Sequence, residues 1–145
     1  MTTKHTPDSF NQFGSTFLPG HLGIRITEVS PGKVAAEMKV EPFHLAPNGY
    51  LHAGSVVTLA DTCAGYGCIS NLPEGAQSFT TIELKSNHLG TARQGTIAVV
   101  ATAVHLGRTT HVWDIRLSGE DGKPSCISRL TMAIVPLGEN GPAQR

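Results

Sequence analysis

Ser55-Val56-Val57-Thr58-Leu59-Ala60-Asp61-Thr62-Cys63-Ala64-Gly65-Tyr66-Gly67-Cys68-Ile69-Ser70 is the stretch on which the fold turns. It is apolar or small on nearly every side, contains no proline and is too long for an ordinary strand, so it predicts one long helix. Such even apolarity would be unusual on a protein surface. The helix should therefore be wrapped on most sides, by a sheet and by a second subunit.

On either side of this helix the apolar period drops to two. Before it, Gly23 to Val40 alternates, with Ile24 and Ile26 on one face, a Ser30-Pro31-Gly32-Lys33 turn, then Val34, Ala36, Met38 and Val40, which predicts an antiparallel hairpin. A loop from Glu41 to Leu51 carries Pro42, Pro47 and Asn48-Gly49. After Leu72-Pro73, strands are expected near Phe79–Asn87, Thr96–His105, Thr110–Ser118 and Ser125–Val135, the last three as a meander. Two strands, a long helix and four strands make an α+β pattern in which a curved antiparallel sheet wraps the helix. Trp113, Ile115 and Leu117 are core candidates.

The chain of 145 residues suits a single domain over 1–145, with 1–19 and 138–145 flexible or peripheral. Eleven basic and eleven acidic residues give a formal charge of zero, which leaves no sequence-wide electrostatic footprint for nucleic acid or an anionic membrane. No signal peptide or membrane span is expected. Cys63, Cys68 and Cys126 read as buried thiols in a reducing cytoplasm rather than as a disulfide framework. His44, His52, His88, His105 and His111 lack the ligand spacing of a zinc site, so no metal is expected.

Asp61 stands out. Its neighbours three and four residues away are Val57, Thr58, Ala64 and Gly65, none of them basic. A carboxylate beside apolar groups bears a desolvation cost that raises its pKa, and a role in chemistry is one reason for it to be there. The alternative is an Asp that faces water or a loop. The second feature is His52-Ala53-Gly54-Ser55 at the helix start, where unpaired N–H groups and the helix dipole can hold a developing oxyanion. By itself that pattern is more often simply a turn and a cap. Ala53 and Asp61 lie roughly 12 Å apart along a straight helix, at about 1.5 Å per residue. If both act on one carbonyl, they must come from two subunits.

The run Asn48-Gly49-Tyr50-Leu51-His52-Ala53-Gly54, six further residues and then Asp61 resembles the helix-entrance motif of hot-dog acyl-CoA thioesterases, in the phenylacetate-pathway (PaaI-like) branch of the 4-hydroxybenzoyl-CoA thioesterase superfamily. The likeness extends over about residues 20 to 135, through Thr80-Thr81-Ile82-Glu83-Leu84-Lys85 and Gly107-Arg108-Thr109. It implies a hot-dog fold and hydrolysis of an acyl-CoA, with aryl-acetyl or medium-chain acyl groups. Asp61 would be general base or nucleophile, the Ala53 N–H, with that of Gly54, would polarise the carbonyl, and Thr81 would position the water or the base. His52 and Asn48 complete the implied site, His52 reading as a hinge that bonds loop backbone. Two departures are visible: the family often has His-Gly-Gly where this chain has Ala53 in the middle, and the Asn often found six residues before the His is Ala46 here.

No separate cofactor is implied, since coenzyme A would belong to the substrate. The resemblance places it along His88–Arg93 and Leu106–His111, with His88, Arg93, Gly107, Arg108 and Thr109 as contacts. Without the resemblance, two turn arginines more commonly are solvated strand ends. The partners implied are acyl-CoA and further copies of the chain, as a homodimer and a dimer of dimers forming a homotetramer. Two alternatives share these periodicities: a hot-dog enoyl-CoA hydratase or dehydratase using His44 or His52, and a non-catalytic acyl-CoA binding module. The small residues Ala60, Ala64, Gly65 and Gly67 are expected to leave room for the acyl group at the subunit interface.

Overall fold

A computed structural model describes residues 5–138. Six strands form one antiparallel sheet: β1 Ile24–Ser30, β2 Lys33–Lys39, β3 Ala76–His88, β4 Thr96–Leu106, β5 Thr110–Ser118 and β6 Pro124–Pro136. Their order across the sheet is β1-β2-β4-β5-β6-β3. β3 therefore leaves the helix at the far edge, and the chain crosses back to continue beside β2. Three short helical elements precede or interrupt this order, α1 Pro7–Phe13, α2 Leu18–His21 and a 3-10 turn at Pro42–His44, and the long helix α3 spans Ala53–Ser70. The hairpin, the long helix and the meander all lie where the sequence predicts them, and the arrangement is the hot-dog fold.

The alternation seen in the sequence is the alternation of burial. Val34, Ala36 and Met38 on β2, Ile97, Val99 and Ala101 on β4, and Trp113, Ile115 and Leu117 on β5 all face α3 and are essentially inaccessible. At the β1–β2 turn, Pro31 precedes Gly32 at φ 69°, a conformation that glycine adopts without steric cost.

In α3, every residue from Cys63 to Cys68 is buried. A sheet covers one side of a helix, so a second cover is required, and it comes from the N-terminal segment. Phe10 of α1 stacks on Tyr66 with ring centroids 4.4 Å apart, and His5 stacks on Phe10 at 4.9 Å. Asn11 ties the same helix to β1, accepting from the Ile26 N–H at 2.7 Å and donating to its carbonyl at 3.1 Å. This bond pair sits where the β1–β2 register shifts between Ile26 and Glu28. Residues 1–4 lie outside the described residues, and within 5–19 the structure differs from the expectation of a peripheral segment at Phe10, which is only 2 % exposed and belongs to the core. The signal was present in the sequence, as Thr6-Pro7 and Ser9, which form a capping box, followed by an apolar pair at Phe10 and Phe13. Of the C-terminal stretch 138–145, all but Gly138 lies outside the described residues.

Small residues on α3 admit rings of this same chain. A Cβ built on Gly67 would stand 2.7 Å from the Trp113 ring, and one on Gly65 would stand 3.1 Å from Phe79. Ala60 and Ala64 are wholly buried. At Gly65 and Gly67 the space opened by the small residues is filled by rings of the sheet.

Candidate active site

Asp61 lies at the middle of α3, on the side that neither the sheet nor α1 fully covers. Thr81, twenty residues on, is at the middle of β3, and its hydroxyl donates to Asp61 Oδ1 at 3.3 Å. Asp61, singled out by its helical neighbours, and Thr81, named only through the resemblance, are therefore neighbours in the fold. Burial raises the Asp61 pKa above the ordinary carboxylate range, and the Thr81 hydrogen bond offsets part of that rise. Among the described residues no Lys, Arg or His forms an ion pair with Asp61. A half-buried carboxylate with one neutral donor and no counter-charge is more basic than a surface aspartate, which suits it to accept a proton from water.

At the start of α3, His52 is the N-cap, and its Nδ1 accepts the Gly54 N–H at 2.7 Å. This corrects the expected pair of oxyanion donors: the Gly54 N–H is already engaged. Among the described residues the Ala53 N–H has no hydrogen-bond partner, and Ala53 is exposed. Among the described residues no non-glycine has positive φ, so alanine fits this backbone where the resembling enzymes often have glycine. With Nδ1 accepting, neutral His52 carries its proton on Nε2, so it offers a donor and not a base. Asn48 stays within its own loop, where its Oδ1 accepts the Tyr50 N–H at 3.1 Å.

The residues expected along coenzyme A fall into two groups. His88 shares a groove with Leu51, Ala53, Val56, Gly90, Thr91 and Ala92. That groove is held against the helix entrance by the Leu51 N–H, which donates to the Ala92 carbonyl at 2.8 Å. Arg93 is close by, with its guanidinium 4.2 Å from the centre of the Tyr50 ring. Arg108 and Thr109 instead line a groove with Pro73, Glu74, Gly75, Ala76, Ile134 and Pro136. His88 pairs with Cys126 at one end of the β3–β6 ladder, and Ala76 pairs with Pro136 at the other. The ends are roughly 40 Å apart for a strand of this length at about 3.3 Å per residue. One chain does not bring Arg93 and Gly107-Arg108-Thr109 to one ligand.

His44, offered with His52 for the dehydratase alternative, and the buried His111 are also placed. His44 is fully buried and both its ring nitrogens are bonded, Nδ1 by the Glu41 N–H at 2.9 Å and Nε2 to the Leu22 carbonyl at 2.7 Å. It is not a free base. His111 is buried without a hydrogen-bond partner among the described residues, and its pKa is lowered by burial and by the nearby His105. Sequence reasoning missed the structural part His44 plays, because its partners are remote or backbone groups and leave no pattern in residue types. No helix among the described residues is long and apolar enough to cross a membrane.

Comparison with known proteins bears on this geometry. The profile of the Thioesterase superfamily matches residues 48–126, from the loop before α3 to the start of β6. The crystal structure of a mutant of thioesterase PA1618 from Pseudomonas aeruginosa superposes with a TM-score of 0.88 at 41 % identity, covering 94 % of this chain and 98 % of that one. The 1,4-dihydroxy-2-naphthoyl-CoA hydrolase of Escherichia coli is 36 % identical over 135 residues, 91 % of this chain and 96 % of that protein. The E. coli PaaI protein from the phenylacetic acid degradation operon is more distant, at 25 % identity and a TM-score of 0.74 over 81 % of this chain and 83 % of its own. With a matched profile over more than half its length and relatives of this similarity along nearly all of it, the chain belongs to the Thioesterase superfamily.

Proposed function

We propose that the protein hydrolyses an acyl-CoA thioester to the free acid and coenzyme A, with Asp61 as the base. The observation that carries this reading is the Thr81–Asp61 pair: a carboxylate made more basic by burial, oriented by a hydroxyl and, among the described residues, without an ion-pair partner. Water held by Thr81 and Asp61 adds to the thioester carbonyl carbon while Asp61 takes its proton. The oxyanion that forms is stabilised by the Ala53 N–H at the positive end of α3. Collapse of the tetrahedral species breaks the C–S bond, and the sulfur leaves with the proton held on Asp61. Attack by Asp61 itself, giving an anhydride that water opens, uses the same groups.

The catalytic unit in this reading is a dimer. Ala53 and Asp61 of one helix are too far apart to share a carbonyl, so Ala53 works with the partner subunit's Asp61. β3 supports this arrangement, since it is an edge strand of thirteen residues with no neighbour on one side and with Ile82 62 % exposed. A long bare edge invites pairing. Two β3 edges paired antiparallel about a two-fold axis bring the His88 end of one against the Ala76 end of the other. The separated coenzyme groups, His88 and Arg93 on one side and Gly107-Arg108-Thr109 on the other, then flank one ligand. Dimers would pair again in the homotetramer.

For the acyl group, an aroyl group, with its aromatic ring joined directly to the thioester carbonyl, is favoured over the aryl-acetyl group of the PaaI resemblance. The support is the greater similarity to 1,4-dihydroxy-2-naphthoyl-CoA hydrolases, at 36 % for the E. coli protein and 35 % for that of Listeria monocytogenes. The dehydration alternative finds no free imidazole base in His44 or His52.

The test is thiol release from benzoyl-, hydroxynaphthoyl-, phenylacetyl- and straight-chain acyl-CoAs by wild type and Asp61→Asn. The expected result is turnover, greatest for the aromatic acyl group, that falls by about 10²–10⁴ in Asp61→Asn while coenzyme A still binds. Binding without thiol release in the wild type would establish the binding-module reading instead.

A further inference from the structure

We infer that His44 is a positioning residue for the oxyanion donor, acting on Ala53 through the backbone without touching substrate. The inference rests on the thioesterase reading above. His44 is fully buried, so no ligand reaches its ring. Its side chain spans two segments: Nδ1 accepts the Glu41 N–H within the 3-10 turn, and Nε2–H donates to the carbonyl of Leu22, the residue that closes α2. Its own carbonyl then accepts twice from the start of α3, from the His52 N–H at 2.9 Å and from the Ser55 hydroxyl at 2.9 Å.

The geometry of one peptide unit makes this arrangement consequential. The His52 carbonyl and the Ala53 N–H belong to the same planar peptide and point in opposite directions. The His52 carbonyl accepts from the N–H groups of Ser55 at 3.0 Å and Val56 at 3.3 Å, so it points into the helix and sends the Ala53 N–H outward. The plane can still pivot about its flanking residues. Those pivots are held by the His52 N–H and the Ser55 hydroxyl, both on the carbonyl of His44. The ring of His44 in turn fixes that carbonyl against the N-terminal segment, which Phe10 anchors on Tyr66 at the other end of the same helix. Small misplacements of a donor are costly, on the order of a hundredfold in rate for about 1 Å.

The experiment measures kcat, KM and the dissociation constant of coenzyme A for wild type, Ser55→Ala, His44→Gln and their double variant, with Asp61→Asn alongside. Assays are run well below each melting temperature and corrected for folded fraction. Ser55→Ala removes one bond to the His44 carbonyl without disturbing the core. His44→Gln keeps a donor that can reach Leu22 but loses the acceptor for Glu41. Expected is a fall in kcat of about tenfold to a hundredfold in each, with KM and coenzyme binding within about twofold of wild type. The double variant should be scarcely worse than the poorer single one, because both act through one carbonyl. Unchanged kcat per folded site in Ser55→Ala, or a change confined to KM, would overturn the inference, and Ser55→Ala decides it even where the histidine variant fails to fold. Retained turnover in Asp61→Asn would instead sink the thioesterase mechanism itself.

Discussion

Replacing Gly67 by alanine sets two effects of known sign against each other. Alanine is the better helix former by roughly 1 kcal/mol, so in an open helix the change would stabilise. Here the added Cβ would stand 2.7, 2.8 and 3.1 Å from three carbons of the Trp113 ring, whereas ordinary contact begins at 3.4 Å. The nearest approach is short by 0.7 Å, the difference between those two distances. Trp113 is wholly buried and cannot swing aside, so the helix must back off the sheet. Overpacking of this kind costs typically 1–3 kcal/mol, and three close atoms place this case in the upper half of the range. The net loss is about 1–2 kcal/mol, which corresponds to a melting temperature lower by roughly 3–7 °C for a domain of this length. Gly65→Ala is the control. Its Cβ meets only Phe79, at 3.1 Å, and Phe79 is partly exposed and can yield, so helix propensity should leave it near neutral. Thermal and urea unfolding of both variants, and of Gly67→Ala with Trp113→Phe, is the assay. A melting temperature raised by Gly67→Ala would refute the claim that the ring of Trp113 sets the helix-to-sheet distance.

Thr81→Val removes the donor that lowers the Asp61 pKa and leaves the burial that raises it. Because the base must be ionised, the acidic limb of the kcat/KM profile should move to higher pH in the variant, and a limb that stays put or moves down would separate Thr81 from the base. Ile82→Lys on the bare β3 edge places like charges where two edges would pair, so sedimentation should show a shift toward monomer with parallel loss of turnover. Full activity in a monomeric form would end the shared-site account. Cys63 and Cys68 are both pushed up to about 12 by burial, which keeps them as thiols, so thiol reagents at neutral pH should label neither without denaturant. Rapid labelling in the native protein would show that α3 opens far more readily than its packing implies.

The sequence by itself determined the architecture, because burial alternates with the same periods as hydrophobicity. Val34, Ala36 and Met38, and Trp113, Ile115 and Leu117, are legible as inward strand faces since period two has only two outcomes, and a stretch that is apolar or small on nearly every side, such as Ser55–Ser70, needs a wrapped helix. It also singled out Asp61, whose anomaly is local: a carboxylate whose helical neighbours carry no positive charge. Thr81 was reachable only through the family resemblance, and its hydrogen bond to Asp61 depends on the packing of β3 against α3. What only the tertiary structure decided are the relations between remote groups. That Gly67 and Gly65 hold rings from the sheet, that Phe10 covers Tyr66, and that His44 links Leu22 to the start of α3 are facts of packing between segments far apart in the chain. The loss of the Gly54 N–H to His52 and the wide separation of Arg93 from Arg108 have the same origin. Hydrogen bonds to backbone carry no residue-type signature, and strand order sets which turns share an end of the sheet. Neither is written in composition or period.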